Sequence, residues 1–414
     1  MTKTIEIAKN AALAANNLRT SSAADRNDAL IKISEAITKK KQDIIAANQK
    51  DMQAAAELSS ALKDRLLLTE ERINGMSGSL VEVANQEEVI GQGISKTTRP
   101  NGLVVQKVRI PLGVILMIFE SRPNVIIDCS ALAIKSGNAI ILKGGKEAFH
   151  SNQILGEIIN EAYKGILPRD TVQVIASNKR EIVQELLSCK DDIDLVIPRG
   201  GSNLVDYVYS NSKIPVIAHF QGLCHTYIDK SANLAQAKTI AINAKTQRTG
   251  VCNATETLLV HKDLKGEYLE NLIKEFKTHD TKIIADNEIY DLYQALGLDL
   301  ATKDTWAIEH LDNVLSLKLV DSVEAAIDHI NTYGSNHTEA IIAEDADAVE
   351  KFTAAIDASC IMHNASTRFN DGGELGLGAE LGISTSKIHA YGPMGAAEMT
   401  TSRFLVIGNG HIRE

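Results

Sequence analysis

Apolar residues recur at helical spacing through residues 1–90. Ser22 stands three places ahead of Asp25, and Leu30, Ile33 and Ile37 follow on one face, a capping-box-like helix start. Thr69 ahead of Glu70 and Glu71 opens another helix toward Val83, because carboxylates suit the positive N-terminal end of a helix. The period changes in 101–119, NGLVVQKVRIPLGVILMIF. Apolar and polar residues alternate through Val104, Gln106, Val108 and Ile110, as in a half-exposed ribbon. Val114 to Phe119 is instead continuously apolar, as in a strand buried on both faces.

From there short apolar runs alternate with helix-length segments. The first set is AIILK (139–143), TVQVIA (171–176), DLVIP (194–198) and PVIAH (215–219). The second is ETLLVH (256–261), KIIA (282–285), VLSLKLV (314–320), EAIIA (339–343) and SCIMHN (359–364). That rhythm predicts parallel strands joined by helical crossovers, and two sets with no disordered linker predict two lobes with a cleft between them. SRFLVIGNG near the end predicts a terminal strand able to pair with the 101–110 ribbon of a second subunit. No internal repeat or low-complexity segment interrupts this pattern.

Composition narrows the class. A chain of 414 residues suggests two or three domains. No run approaches the roughly 18 uninterrupted apolar residues of a membrane span. The N-terminal MTKTIEIAKNAALAANNLRTSS lacks the apolar core and cleavage site of a secretion signal and reads as an amphipathic helix. Five scattered cysteines without a CxxC pair suit a reducing cytoplasm, not a disulfide framework or zinc site. A net charge of -10 argues against a nucleic-acid surface, and Lys39-Lys40-Lys41 reads as a solvated helix end. The eleven histidines show no metal-ligand spacing, and His337, His363 and His389 are isolated. A Ser–His–Asp triad lacks its G-x-S-x-G elbow.

Candidate chemistry centres on Cys252, in AINAKTQRTGVCNATETLLVH, on a glycine-containing turn between an amphipathic stretch and a strand. A thiolate attacks carbonyl carbon well, and Arg248 and Lys245 stand beside it in sequence. A buried, inert thiol is the competing reading. Two turns at strand ends, Lys143-Gly144-Gly145-Lys146 and Arg199-Gly200-Gly201-Ser202, offer bare backbone N–H groups to anions. Either alone could be an ordinary strand-to-helix turn; together, with their lysines and arginine, they favour a dinucleotide carrying an extra phosphate. Arg122, in Glu120-Ser121-Arg122-Pro123-Asn124 after the buried strand, suits a carboxylate or phosphate clamp, or a structural salt bridge. Residues 363–385, HNASTRFNDGGELGLGAELGIST, are too polar for core; Arg368 there is a second candidate for holding an anion.

PLGVILMIFESRPNV (111–125), KSGNAIILKGGKEA (135–148), QRTGVCNATETLLVH around Cys252 and HNASTRFNDGGELGLGAELGISTSKIHAYGPMG (363–395) resemble the gamma-glutamyl phosphate reductase family of the aldehyde dehydrogenase superfamily. The likeness runs nearly the full length, and the last two segments are specific to this family. It implies an α/β, aldehyde-dehydrogenase-like fold. A Rossmann-type NADP-binding domain would comprise 1–100 and 111–222 with a return segment at 373–398. An α/β catalytic domain, 223–372, would carry Cys252, and a small β oligomerisation ribbon would combine 101–110 and 399–414.

The resemblance also implies an activity, NADPH-dependent reduction of L-glutamyl 5-phosphate to L-glutamate 5-semialdehyde, the second step of proline synthesis. Cys252 matches the nucleophile, and Lys143 the lysine on the adenosine ribose hydroxyls. Glu309, in IEHLDNV, falls where a glutamate meets the nicotinamide ribose. The turn Pro198, Arg199, Gly200, Gly201 and Ser202 falls where the pyrophosphate passes. Lys146 is a candidate for a 2′-phosphate, and Arg122, Asn364, Ser366 and Arg368 are candidates for holding the substrate. No metal is implied. A cytoplasmic homo-oligomer, dimer or higher, is expected. With no kinase-like domain in the chain, the acyl phosphate would come from a separate glutamate 5-kinase, by free diffusion or transient contact.

Two departures from the wider superfamily refine this picture. Oxidising members carry a glutamate in a Glu-Leu-Gly-Gly motif that activates water to hydrolyse the thioester; here the stretch reads His219-Phe220-Gln221-Gly222. An enzyme that reduces its thioester has no use for that base. Ser121 stands where most members have an oxyanion-binding asparagine, so the Cys252 N–H, Asn253 or Asn124 is the expected replacement. A missing donor costs about 3 kcal/mol of barrier. Competing readings are a coenzyme A-acylating aldehyde dehydrogenase, a non-redox cysteine acyltransferase or hydrolase, and a nucleotide-binding scaffold.

Overall fold

A computed structural model of the chain describes residues 3–413 except 176, 178, 180, 219 and 220. The chain divides into two compact units: Met1–Ala218 with Gly376–Gly382 and Ile388–Glu414, and His219–Leu375 with Ile383–Lys387.

The first unit is built on a parallel sheet in the order Val172–Val174, Ala139–Lys143, Val114–Phe119, Leu195–Arg199. The central strand is buried at all six positions. Ile115, Met117 and Phe119 enter one apolar core and Val114, Leu116 and Ile118 the other, as strand alternation requires. Each such side chain buried in full contributes about 1.5–3 kcal/mol. Lys3–Leu18 packs Ala8, Ala11 and Ala14 on one face, while Ala23–Lys39, Glu70–Asn85, Val125–Lys135 and Phe149–Ala162 cover the other. The expected caps form. Ser22 accepts the Asp25 N–H (3.1 Å), Asp25 accepts the Ser22 N–H (3.1 Å), and Thr69 accepts the Arg72 N–H (3.2 Å). Lys135, on a helix buried all round, satisfies its ammonium on Asn27 Oδ1 (3.0 Å), Ala84 O (3.0 Å) and Gln86 O (2.7 Å).

Three expectations need correction. PVIAH adds only an isolated bridge, Val196 to Val216, because Pro215 has no N–H to donate; His219 lies outside the described residues. TVQVIA is a strand only over Val172–Val174, and Ala176 lies outside the described residues. The terminal strand Thr400–Ile407 pairs antiparallel with Val104–Pro111 of its own chain, Thr400 opposite Pro111 and Ile407 opposite Val104. Gly93–Thr98, which has no apolar signal, completes this three-stranded sheet on the other side of Val104–Pro111. Thr400–Ile407 is thus an edge strand, with Phe404, Leu405, Val406 and Ile407 exposed.

The second unit holds a seven-stranded sheet, parallel throughout. Its order is Asp299–Leu300, Lys282–Ala285, Val314–Val320, Thr255–His261, Cys224–Ile228, Thr338–Ile342, Cys360–His363. Cys224–Ile228 carries no continuous apolar run, yet all five residues are buried. Its polar members meet distant partners. The His225 N–H and ring Nδ1 meet Glu339 Oε2 (2.9 and 3.0 Å), and Thr226 Oγ1 meets Thr255 Oγ1 (2.7 Å).

Beside this pair lies His329, buried edge-on against His225 and Trp306. Desolvation, followed by the charges of His225 and Lys318, pushes its pKa down to about 3 from 6.5. The unfolded chain therefore takes up a proton below pH 6.5 that folded His329 refuses until about pH 3. The stability from neutral His329 is full above pH 6.5 and is lost as pH falls through that window, by up to about 1.4 kcal/mol per pH unit. Urea unfolding at pH 7 and pH 5 should show this slope, and His329→Phe should flatten it; an unchanged slope in the variant would refute the assignment.

Candidate active site

In the second unit, the Leu234–Thr246 helix starts at Asn233, whose Oδ1 accepts the Gln236 N–H (3.2 Å), and stops short of a tight turn. The Ala254 N–H donates to Val251 O (3.1 Å), so half-buried Cys252 is presented at the head of strand Thr255–His261. Arg368 reaches this turn from the polar segment more than a hundred residues away. Its Nε donates to Gln247 Oε1 (2.8 Å) and its Nη1 to Asn253 Oδ1. Burial and then Arg248 pull its pKa down, while Asp371 and Cys252 oppose them. The Asn253 amide donates to Asn370 O (2.9 Å). Ser366 accepts the Arg368 N–H (3.3 Å) and so shapes the turn that carries the arginine. Asn364, at φ 51°, uses its side chain on the Ala343 N–H (3.0 Å) and Ala343 O (3.1 Å).

Gly222 packs directly onto Cys252. A Cβ there would lie 2.6 Å from Cys252 Cβ and would also strike the Cys252 carbonyl oxygen. The Gly222 N–H donates to Glu309 Oε1 (3.0 Å), and burial raises the pKa of that carboxyl. Cys224 donates its S–H to Cys252 O (3.1 Å). Lys245 behaves differently from its sequence reading. Instead of facing the thiol, it is buried against Glu256 (Nζ–Oε2 3.0 Å). Burial raises Glu256 to about 7 against the pull of Lys245. Gly222, Cys224 and Glu256 escaped the sequence reading. Only Glu256 left a signal, a lone carboxylate in the strand TETLLVH, which demands a partner if buried.

In the first unit the parallel strands end in three turns. Ser121 sits at φ 48°, its N–H and hydroxyl both donating to Glu147 Oε1 (2.5 and 3.0 Å). Asn124 donates to Asp128 Oδ2 (3.0 Å), and half-buried Arg122 lies between Ser121 and Asn124 in sequence. Lys143 Nζ donates to Gly144 O (2.6 Å); burial pulls its pKa down while Glu147 opposes. Lys146 is exposed on the following 3-10 turn. Pro198 pairs with Ile118 in the sheet, and Ser202 opens the Ser202–Asn211 helix. Arg199 turns to the return segment, donating to Leu381 O (2.8 Å) with Glu380 at 3.7 Å.

Two of these turns already bind anionic oxygen. The Gly201 N–H donates to Glu120 Oε2 (3.0 Å), as Ser121 does to Glu147. A Cβ on Gly200 would come within 2.9 Å of the Glu120 carboxyl carbon, and one on Gly145 within 2.5 Å of that of Glu147. Carboxylate oxygens sit directly against both glycines. That donor chemistry, with Lys143 and Lys146 adjoining, fits the phosphates of a nicotinamide dinucleotide. Among the described residues no group of three or more His, Cys, Asp or Glu side chains is placed to hold a metal. No helix of the described residues is long and apolar enough to cross a membrane.

Known proteins share this sequence pattern and fold. The aldehyde dehydrogenase family profile matches residues 2–288. A gamma-glutamyl phosphate reductase of Idiomarina loihiensis is 46% identical over 412 residues, covering 99% of this chain and 98% of that one. The crystal structure of a gamma-glutamyl phosphate reductase from Thermotoga maritima superposes with a TM-score of 0.96 at 39% identity, covering 100% of both chains. An acetylating aldehyde dehydrogenase from Geobacillus thermoglucosidasius shares the fold at 18% identity, with a TM-score of 0.72 over 100% of this chain and 98% of that one.

Proposed function

Because this chain belongs to the gamma-glutamyl phosphate reductases of the aldehyde dehydrogenase family, we propose that it reduces L-glutamyl 5-phosphate through a thioester on Cys252. It is an oxidoreductase of proline biosynthesis. The observation that carries the thioester reading is the Cys252 turn itself: a half-buried thiol, Arg368 fixed beside it, and Gly222 backbone packed onto its Cβ.

Cys252 as thiolate attacks the acyl carbon of the substrate and expels phosphate, a good leaving group. NADPH, when bound, supplies the hydride that reduces the thioester. Collapse of the thiohemiacetal releases the semialdehyde and restores the thiolate. Arg368 and Arg248 bring positive charge to the turn, favouring the thiolate and the anionic substrate. The Cys252 N–H takes the oxyanion, since the hydroxyl of Ser121 is engaged by Glu147 and the amide of Asn253 by Asn370. Gly222 packs against the Cβ that carries the sulfur. The stretch that bears the hydrolytic glutamate in oxidising relatives has no carboxylate here, although its His219 and Phe220 lie outside the described residues. Lys143, the Arg199–Ser202 turn and Glu309 would hold the dinucleotide, and Lys146 would favour the 2′-phosphate that distinguishes NADPH. Arg122 holds the substrate's phosphate or amino-acid end. The exposed edge strand Thr400–Ile407 joins subunits of a cytoplasmic homo-oligomer, and a glutamate 5-kinase supplies the acyl phosphate.

The competing acceptor is coenzyme A. With glutamate semialdehyde and NADP, phosphate should support NADP reduction and coenzyme A should not. Turnover with coenzyme A at a comparable rate would overturn the proposal.

A further inference from the structure

We propose that the buried Lys245–Glu256 ion pair is a positioning element that locks the Cys252 turn to the loop carrying Glu309; this rests on the reading of Cys252 as nucleophile. Lys245 lies in the last turn of the helix that enters the nucleophile turn, and Glu256 is the second residue of the strand that leaves it. Their side chains, 0% and 1% exposed, meet at 3.0 Å and close the turn at its base.

The second oxygen of Glu256 explains why a pair of charges is used there. Its Oε1 accepts the N–H of Leu311 (3.2 Å), and the carboxylate also interacts with the backbone of His310. Leu311 adopts φ 51°, a left-handed conformation that strains a non-glycine residue. The buried carboxylate holds that conformation against its strain. Two residues earlier Glu309 accepts the Gly222 N–H, and Gly222 lies on Cys252. The loop also passes the nucleophile turn directly, for a Cβ on Gly250 would stand 3.7 Å from Leu311 O. One chain of contacts thus runs from Lys245 through Glu256, Leu311, Glu309 and Gly222 to Cys252. Shape-matched apolar residues usually stabilise a fold as well as a buried ion pair does, because desolvation offsets the attraction. Apolar residues could not hold the 310–311 amides.

The test is the double variant Lys245→Met/Glu256→Leu. It should keep its melting temperature within a few degrees, yet lose about 30-fold or more in kcat, with the affinity for phosphate changed far less. Turnover kept within about threefold, or a loss that merely follows the fraction unfolded, would overturn the proposal. Hydrogen exchange on the wild-type protein covers the case in which the double variant does not fold. The Leu311 amide, on a residue 43% exposed, should exchange as slowly as the sheet core, and rapid exchange would equally overturn the proposal. Neither exchange nor melting depends on the chemistry at sulfur. A failed nucleophile assignment would instead appear as turnover in Cys252→Ala with Leu311 still protected.

Discussion

Cys252→Ala is expected to fold, bind NADP with unchanged affinity, and lose NADP reduction by roughly 10⁵-fold or more. The contrast arises because the thiol and the backbone of this residue do different work. The backbone oxygen accepts the Cys224 S–H, a contact that alanine keeps. The side chain is only half-buried, so deleting one sulfur costs about 1 kcal/mol or less of stability. No other thiol can take over. Cys224 is buried behind the Cys252 carbonyl with its pKa raised far above that of a free thiol by desolvation, and Cys129 is raised for the same reason. Circular dichroism, cofactor titration and the coupled assay together decide the matter. Appreciable turnover in a folded variant would remove Cys252 from the mechanism.

Gly222→Ala is expected to cost about 100-fold or more in kcat, with 1–3 kcal/mol of stability. The added methyl would stand 2.6 Å from Cys252 Cβ and 2.7 Å from its Cα. These atoms belong to backbone and its first carbon, so no flexible side chain can swing aside. The segment cannot withdraw freely either, since the Gly222 N–H is fastened to Glu309 and the Leu223 N–H to Ser335 Oγ (2.8 Å). The nucleophile turn must shift, and a displacement near 1 Å typically forfeits about two orders of magnitude in rate. Gly75→Ala is the control: it lies on the exposed face of the Glu70–Asn85 helix, and nothing stands within 4 Å of the new methyl. That change should stabilise by about 0.5–1 kcal/mol and leave turnover alone. Equal turnover in the two variants would mean that the close approach of Gly222 has no catalytic consequence.

What could be read in the sequence follows the range of the interactions. Val114–Phe119 was legible because a strand buried on both faces must be apolar at every position, and the structure divides its side chains between two cores. Cys224–Ile228 was not. His225 and Thr226 look solvent-facing until Glu339 and Thr255 are brought alongside by the sheet order. Gly93–Thr98 has no apolar residue pattern, since its stability comes from pairing with Val104–Pro111. At the site, Cys252 and Arg368 were visible as chemical types on polar turns. The links that hold them were hidden. Lys245 read as a cation beside the thiol because Glu256, its partner, lies on the far side of the turn. Gly222 read only as the end of a motif lacking its carboxylate. The missing carboxylate was legible; the backbone packed against Cys252 was not.

The central claim is that the Cys252 thioester is reduced or released to phosphate, and not hydrolysed. The most direct measurement is NADP reduction by glutamate semialdehyde with and without phosphate, with released glutamate quantified. Turnover should require phosphate, and glutamate should stay at the background of the Cys252→Ala variant. NADP reduction at the same rate without phosphate, matched by glutamate, would contradict the account.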